Sequence, residues 1–487
     1  MRCRDRGHLT RTVPGERGSI MHKTAYGLVA LLLMAGVAVQ QGWLPDLGQV
    51  QSVRTPGSSP TPSGPGLLLS EPAAPPAVLD PATGEARPRP AVVRKLLAAA
   101  AKKPLLGRQL GLVVERLGSP RPLMQIDAST PVTPASTLKL LTSMAVLREL
   151  SPQHRFSTSV VRGRTARSIV LVGGGDPLLT GATPSQAQAS YPAQASLQSL
   201  AEQAAKKLRK GGVRRVRLSY DTSLFSGPAV NPTWEPSYLA DNVVSPITSL
   251  WVDEGRAVSG YAQRVPDPAA EAATRFAAFL TKAGVRVTGA AKPGRAARTA
   301  PLASVESAPL AQIVQHVLEV SDNEGAEVLL RQAAIGAGRA GSSRAGVAVI
   351  EQQLNELGID GAGVTIHDGS GLSRQDKLPV RVLADVLQIA AGEDHPELRP
   401  LISTLPVAGF TGSLAYRFVE EAPAGLGVVR AKTGTLTGVH GLAGIVTTPQ
   451  GTPLVFAFVA DRVRPSKKYA APAQLDRIAA LLATCAC

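Results

Sequence analysis

The sequence has few of the residues that build disulfide frameworks, metal centres or nucleic-acid grooves. Only three of its 487 residues are cysteines, seven are histidines, and aromatic residues make up 4%. Cys485 and Cys487 lie two residues apart, too close for an unstrained bridge in regular structure, so no disulfide framework is predicted. The histidines form no H-E-x-x-H or H-x-x-x-H pair. Basic residues are not interleaved with aromatic ones. We therefore expect no metal and no nucleic-acid partner.

The first 90 residues lack the pattern of a folded domain. A basic arm at 1–24 precedes an apolar run at 25–44, of which the strictly apolar part is Ala25–Val39. The 20-residue run suits one membrane span, and its 15-residue core also suits a secretory signal. A signal anchor and a cleaved signal peptide therefore both remain open, and the positive flank keeps the arm cytoplasmic. Residues 45–90, rich in proline, serine and glycine, predict a disordered linker.

A serine and a lysine three residues apart stand at the start of a predicted helix. Pro134 marks the start, and apolar residues recur after it with helical spacing as far as Leu150. Ser136 is expected in the first turn, where unpaired N–H groups and the helix dipole favour negative charge. Lys139 projects from the same face, and burial or a second cation would lower its pKa enough to activate the serine. Alone, the pair also fits a capping serine and a snorkelling lysine.

A second motif, Ser321-Asp322-Asn323, interrupts a helical pattern. Apolar positions in 307–334 form two helical stretches that break near Ser321 and Gly325. From such a break, Ser321 can relay a proton and Asn323 can hold a substrate amide. Taken alone, the motif is better interpreted as an N-cap before a new helix.

The third motif, Lys432-Thr433-Gly434, lies in the first of three predicted antiparallel strands. Val428–Leu436 is followed by Gly441–Thr448 and Pro453–Asp461, which are rich in valine, isoleucine and phenylalanine. The three segments are separated by short turns, so they are expected to form consecutive neighbours in one sheet.

Several residues of this strand have expected roles. Lys432 offers a fixed positive charge to a carboxylate, and Gly434 permits close backbone approach by a ligand. The N–H of Thr435, paired with that of Ser136, would form an oxyanion hole. A solvated lysine on an edge strand is the alternative.

In this order the three motifs resemble the low-molecular-mass penicillin-binding proteins of the D-alanyl-D-alanine carboxypeptidase/endopeptidase type, peptidase family S13. The resemblance runs from about residue 109 to 462 and includes three further blocks: Leu171–Leu179, Asp221–Phe225 and Asp368–Arg374. It implies an α/β (α+β) fold. A penicillin-binding/β-lactamase-like transpeptidase domain, with an antiparallel five-stranded sheet flanked by helices, would occupy 91–156 and 301–487. One inserted mixed α/β domain would occupy 157–300.

The resemblance also implies an activity and its residues. Ser136 would be acylated by peptidoglycan stem peptides, with Lys139 as its base, and β-lactams would be inhibitors. Ser321, Asn323 and Lys432 would complete proton transfer and substrate holding. No cofactor is implied.

Further residues would bind the substrate. Thr433 and Thr435, beside Gly434, would hold the terminal carboxylate and the oxyanion. Asp221 would hold the amine of the diamino acid side chain, or else cap a turn after a strand. Leu436 would line the same side-chain pocket with Leu372, or simply pack.

The insert is shorter than is usual in the family. Ser136 and Ser321 are 185 residues apart (321 − 136), and the missing length falls after Trp251. We therefore predict one inserted domain rather than two.

Other functions are less compatible with the sequence. A class A β-lactamase would need Glu351 in an irregular loop, but its surroundings predict a regular amphipathic helix. A triad of His367, Asp368 and Ser370 lacks the G-x-S-x-G elbow. A catalytically inactive cell-wall binding protein would not need every motif position intact.

Charge and the N-terminal segment together predict an exported, membrane-tethered or secreted protein. The formal net charge is +16. It would favour anionic wall polymers, but it is better interpreted as a generally basic surface enriched by the N-terminal arm.

Overall fold

The computed structural model describes residues 88–102, 104–119 and 121–486. The helices are α1 Pro90–Ala101, α2 Lys139–Glu149, α3 Pro184–Ala189, α4 Leu197–Lys210, α5 Pro268–Lys282, α6 Leu310–Glu319, α7 Asn323–Gly336, α8 Ser343–Glu356, α9 Val380–Ala391, α10 Arg399–Ser403 and α11 Ala470–Ala483. The strands are β1 Gln109–Arg116, β2 Pro122–Ile126, β3 Pro131–Val132, β4 Ser157–Arg162, β5 Ser168–Val172, β6 Arg215–Asp221, β7 Arg286–Val287, β8 Lys292–Pro293, β9 Ala303–Glu306, β10 Leu378–Pro379, β11 Val429–Leu436, β12 Val439–Thr447 and β13 Pro453–Asp461.

The predicted basic arm, apolar run and residues 45–87 of the predicted linker lie outside the described residues. Within the described part of the chain, no helix is long and apolar enough to cross a membrane. Cys485 is disulfide-bonded, and its partner also lies outside the described residues.

Five antiparallel strands, in the order β11-β12-β13-β1-β2, form the sheet of the main domain. Successive side chains of a strand point to opposite faces, so each strand contributes side chains to two cores. Val113 of β1 faces the core that contains α2, α7 and α9, whereas Leu112 and Val114 face the core that contains α1 and α11. The predicted five-stranded antiparallel sheet flanked by helices is confirmed. Helices cover both of its faces because both faces are apolar.

The insert has a mixed sheet of its own. Its strands run in the order β7-β6-β5-β4-β9, with β8 also paired to β6, and β5 and β6 are parallel. Helices α4 and α5 cover it. β9 at Ala303–Glu306 pairs with β4, so the sheet continues beyond the boundary predicted at residue 300. The two chain segments that connect the insert to the main domain are hydrogen-bonded to each other, with Ser307 N donating to Phe156 O at 2.9 Å.

A long loop of the insert, residues 222–267, reaches from the insert to the main domain. Its only helical turn is Asp253–Gly255. Trp234 and Trp251 of this loop are buried in an apolar cluster with Val328 of α7. The cluster anchors the loop beside the three sequence motifs.

Candidate active site

Ser136 lies in a 3-10 turn, Ala135–Leu138, that leads directly into α2. The preceding Ala135 has a φ of 47°, a left-handed conformation that is rare for residues other than glycine. The turn is held against Gly371, where a Cβ would lie 2.0 Å from the Ala135 carbonyl oxygen. Because Gly371 itself has a φ of 78°, only glycine fits there. Ser136 is thus presented at the start of a helix, as predicted.

Lys139 is completely buried and donates three hydrogen bonds through its Nζ. The acceptors are Ser136 Oγ at 3.0 Å, Asn323 Oδ1 at 2.9 Å and the carbonyl oxygen of Ser370 at 2.7 Å. An ammonium has three protons, so this arrangement is that of charged Lys139. Loss of one proton leaves a lone pair next to the Ser136 hydroxyl, which is the geometry of a general base.

Burial lowers the pKa of Lys139 to about 8, and the charges of Asp368, Asp322, Glu327 and Glu324 oppose this shift. Near pH 7 roughly a tenth of the molecules would then carry a neutral amine. This pKa suits a base that must accept and return a proton near neutral pH.

Lys432 is the second buried cation. Its Nζ donates to Ser321 Oγ at 2.8 Å and to the Thr433 carbonyl at 3.0 Å. Burial, and then the charge of Lys139, lower the pKa of Lys432 well below its usual value. Ser321 has a φ of 59°, and such strain is typical of residues held in place at functional sites.

The break predicted around Ser321 is present. Helix α6 ends at Glu319 and α7 begins at Asn323. The side chain of Asp322, at the N-cap position, makes no capping hydrogen bond. The break therefore serves to bring Ser321 to Lys432 and Asn323 to Lys139.

The strand with the third motif, β11, runs alongside the Ser136 turn. A Cβ on Gly434 would lie 2.8 Å from the Pro134 carbonyl oxygen and 3.3 Å from the Thr137 nitrogen. The Ser136 turn itself thus approaches Gly434 closely, and the predicted approach of a ligand to Gly434 stays a prediction. Thr433 Oγ1 donates to Ser413 Oγ at 2.9 Å, and Thr435 is exposed.

Comparisons with known proteins agree with this geometry. The family model described as the D-Ala-D-Ala carboxypeptidase 3 (S13) family matches residues 93–262 and 257–482. The chain is 35% identical to a carboxypeptidase of Mycobacterium tuberculosis, over 96% of this chain and 98% of that one. It is 34% identical to the carboxypeptidase DacB of Mycolicibacterium smegmatis, over 85% and 90% of the two chains. The chain belongs to the S13 family.

The solved structure of penicillin-binding protein 4 (DacB) from Haemophilus influenzae shares the fold. It superposes with a TM-score of 0.65 at 22% identity, over 79% of this chain and 97% of that one. The predicted family, the serine-type D-Ala-D-Ala carboxypeptidase class and the penicillin-binding fold are confirmed.

In this S13 enzyme, Leu436 packs. It is half-buried against an apolar cluster that contains Leu372, Trp234 and Trp251. The packing considered for Leu436 is present, and its role in lining a side-chain pocket stays a prediction.

Asp221 is bonded within the insert. Its two carboxylate oxygens accept from Ser223 N at 2.8 Å and Ala296 N at 2.7 Å. Burial would raise the pKa of Asp221, but these backbone hydrogen bonds and the charge of Arg295 lower it. This is the turn-capping alternative, and it leaves neither oxygen without a partner.

Asp221 lies near the part of α7 that carries Gln332, and its role as the amine-binding residue stays a prediction. Gly173 N donates to the Asp221 carbonyl, and Gln332 Nε2 donates to the next residue, Gly174. Gln332 lies nine residues beyond Asn323 along α7, which is about 13 Å at about 1.5 Å per residue. The insert sheet thus holds Asp221 near the far end of α7.

The sequence motifs missed Glu327, which is fully buried on α7. Its Oε1 accepts from the backbone N–H groups of Gly369 and Ser370, both at 2.9 Å. The carbonyl of Ser370 accepts from Lys139 Nζ, so Glu327 positions a hydrogen-bond acceptor of the Lys139 amine. Its spacing was a signal, because Asn323, Glu327 and Arg331 are polar residues four apart in an apolar helix.

The loop that carries Ser370 is held by a second buried carboxylate. Asp368 accepts from Trp234 Nε1 at 2.8 Å and from the N–H groups of Gly371 and Ser373, both at 2.7 Å. Burial and the charge of Asp368 raise the pKa of Asp376 to about 10. Asp376 is therefore protonated near neutral pH.

The structure does not support the other catalytic arrangements. Glu351 is exposed on the regular helix α8, so it cannot activate a deacylating water at Ser136. The carboxylate of Asp368 is engaged by Trp234 and backbone N–H groups, which leaves no oriented triad with His367.

Proposed function

We propose that this enzyme removes the terminal D-alanine from peptidoglycan stem peptides through an acyl-enzyme on Ser136. The observation that carries the proposal is the three-way hydrogen bonding of Lys139 Nζ to Ser136, Asn323 and the Ser370 carbonyl. Among the described residues, Lys139 is the only base that contacts the Ser136 hydroxyl. Membership of the family indicates the class of reaction.

Acylation begins from the neutral form of Lys139. Ser136 Oγ attacks the carbonyl carbon before the terminal D-alanine, and its proton moves to Lys139 Nζ. The carbonyl oxygen becomes an oxyanion, for which the N–H groups of Ser136 and Thr435 are the proposed donors. The C–N bond then breaks, and the departing amine takes up the proton that Lys139 received, which returns Lys139 to its neutral form. Ser321, which Lys432 holds at 2.8 Å, is the proposed relay for this proton.

Deacylation reverses these roles. Water loses a proton to Lys139 as it attacks the ester carbon, and Ser136 Oγ leaves and regains a proton. The shortened peptide departs with a free carboxylate. If the leaving amine belongs to a second stem peptide, the same steps open a cross-link, so we propose endopeptidase activity as well.

The carboxylate of the terminal D-alanine is proposed to bind at β11. Thr433 Oγ1 and Ser413 Oγ form one hydroxyl pair there, and Lys432 Nζ, which donates to the Thr433 carbonyl, lies beside it. Ser413 has no counterpart in the sequence motifs, and it is proposed as an additional substrate-binding residue.

β-Lactams are proposed to acylate Ser136 in the same way, since their ring carbonyl presents the same target. In support, the Haemophilus influenzae structure was also determined in complex with a novel β-lactam. The ring opens without losing a leaving group, so the adduct is expected to persist.

We propose that the enzyme works outside the cytoplasm, held to the membrane by residues 25–44 or secreted after their cleavage. The apolar run and the basic flank at 1–24 support this. Mass spectrometry of the N-terminus from membrane and soluble fractions distinguishes an intact anchor from a cleaved signal.

The activity is tested by product analysis on purified muropeptides. The enzyme should release D-alanine from uncross-linked pentapeptides and separate cross-linked dimers, and Ser136→Ala should do neither. Release of D-alanine without any opening of cross-links would remove the endopeptidase part. No product from either substrate, with a folded protein, would show an inactive binding protein instead.

A further inference from the structure

Three metal-ligating side chains from distant parts of the chain meet beside the Ser321-Asp322-Asn323 motif. Glu254 comes from the helical turn of the long loop, His316 from α6 and Asp322 from the turn before α7. One ligand atom of each lies within 4.8 Å of those of the other two. The three residues line a cavity of about 520 Å³ that also includes Ser321 and Asn323. The cluster therefore opens to the active-site region.

The spacing within the cluster suits a shared ion better than a direct bond. His316 Nε2 and Glu254 Oε1 are 3.9 Å apart, about 1 Å longer than a good hydrogen bond. Two ligand atoms on one tetrahedral zinc ion are about 3.4 Å apart, given metal–ligand distances of about 2.0–2.2 Å. A side-chain movement of about half an ångström would bring this pair to that separation.

Asp322 provides an independent observation. The residue is only 7% exposed, and its Oδ2 is shielded from solvent and lacks a hydrogen-bond partner. A buried carboxylate oxygen without a partner costs stability. A cation between Asp322, Glu254 and His316 would remove that cost.

The neighbouring arginines pair with acidic side chains at or beside the cluster. Arg256 Nη2 pairs with Oε2 of Glu254 at 2.8 Å, and Arg264 Nη2 pairs with Glu324 at 2.7 Å. Glu254 Oε1 and Asp322 Oδ2 are therefore left to bind a cation. Arg256 would hold the ligand Glu254 in place, and Arg264 would hold the neighbouring Glu324.

We propose that Glu254, His316 and Asp322 bind one divalent transition-metal ion of the zinc type, with water as the fourth ligand. One imidazole and two carboxylates suit zinc, whereas magnesium and calcium prefer oxygen ligands alone. The ion ties the long loop and α6 to the turn that carries Ser321 and Asn323. This proposal replaces the expectation of no metal. The sequence did not indicate the site, because its ligands are 62 and 6 residues apart (316 − 254 and 322 − 316), a spacing that matches no sequence motif.

Zinc titration of the chelator-treated, full-length enzyme tests the site. Wild-type protein should bind one zinc ion per chain in competition with a chromophoric chelator, and His316→Ala should reduce the affinity at least tenfold. The matched control is His395→Gln, because His395 also pairs with a glutamate, Glu397, at 3.1 Å. His395→Gln should bind zinc as the wild type does.

Thermal unfolding provides a second readout. Zinc, but not magnesium, should raise the melting temperature of the wild type, because a ligand that binds only the native state stabilises it. The rise should vanish in His316→Ala and, as a second variant, in Glu254→Gln. An adventitious ion only, shown by binding that is not stoichiometric or is equal in His316→Ala and wild type, would overturn the proposal.

Discussion

At the residue scale, the site depends on two lysines that the fold shields from solvent. Lys139 and Lys432 are both fully buried, and each has its amine hydrogen-bonded to a serine of a motif. Burial disfavours the charged amine, while the carboxylates of Asp368 and Glu327 limit the effect on Lys139. The balance gives a base with a pKa near 8 instead of a permanently charged side chain.

The rate of Ser136 acylation should therefore depend on pH. Only neutral Lys139 accepts the serine proton, so the rate should rise about tenfold per pH unit below about pH 8 and level off above it. Stopped-flow acylation by a chromogenic β-lactam measures this profile. A rate that stays constant from pH 5 to pH 9 would contradict the assignment of Lys139 as the base.

Lys139→Ala and Lys139→Arg should both reduce acylation by two to four orders of magnitude, roughly the contribution of a general base. Arginine keeps the charge but cannot lose its proton. Labelled penicillin measures the rate, and circular dichroism verifies the fold. Turnover retained by the arginine variant would require a different base.

Asp221→Ala should affect stability and not substrate choice. Its carboxylate caps backbone N–H groups in the insert, and loss of these bonds should cost about 2 kcal/mol or more. Because the pKa of Asp221 is lowered in the folded state, its contribution is present above about pH 4 and is lost at lower pH. Chemical denaturation measures the loss.

The matching kinetic result for Asp221→Ala is an equal, small change in kcat/KM for stem peptides and for penicillins. A loss confined to peptides with a free side-chain amine would place Asp221 in the substrate pocket.

At the element scale, α7 organises the site along one face. Asn323 contacts Lys139, Glu327 holds the Gly369–Ser370 backbone, and Arg331 donates to the carbonyls of Ser226 and Pro228 in the long loop. These residues are four apart, so they share a face of the helix. One helix thus connects the catalytic amine, the loop behind it and the insert.

Glu327→Gln should move the acidic limb of the acylation profile to lower pH. Glutamine keeps an oxygen for the Gly369 and Ser370 N–H groups. It removes the negative charge that Glu327 carries above its raised pKa of about 7, a charge that raises the pKa of Lys139. The matched control is Glu351→Gln, an exposed glutamate on the adjacent helix α8, which should leave the profile unchanged. A slower acylation rate with an unchanged position of the acidic limb would show that Glu327 acts through packing and not through its charge.

Gly371→Ala should disrupt the Ser136 turn. The new Cβ would lie 2.0 Å from the Ala135 carbonyl oxygen, at a φ of 78°, so either the turn or the loop must shift. Acylation should fall at least a hundredfold, since small displacements of a nucleophile are costly. Gly361→Ala, where a Cβ meets nothing within 4 Å, is the control and should acylate normally. Normal acylation by Gly371→Ala would show that the contact is not needed.

At the scale of the whole molecule, local patterns predicted the elements well. The segments 441–448 and 453–461 were predicted as strands from their β-branched runs, and β12 and β13 occupy nearly the same residues. The helix predicted after Pro134 and the break at Ser321 are also present. These features depend on neighbours in sequence, so composition and spacing are sufficient to predict them.

Features that depend on distant packing were not predictable. Asp221 has the sequence of a family block, but its place follows from how the insert sheet packs on the far end of α7. The short strand at 303–306 exists only because it pairs with β4. Likewise, nothing near Glu327 in the sequence indicates that the Ser370 loop will supply its donors.

The central claim is that Ser136, activated by Lys139, forms the acyl-enzyme. The most direct test is mass spectrometry of the full chain after incubation with benzylpenicillin, followed by peptide mapping. One penicilloyl group per chain is expected on Ser136 in the wild type, and none in Ser136→Ala or Lys139→Ala. An adduct on another serine, such as Ser321 or Ser370, or full labelling of the Lys139→Ala variant, would contradict it.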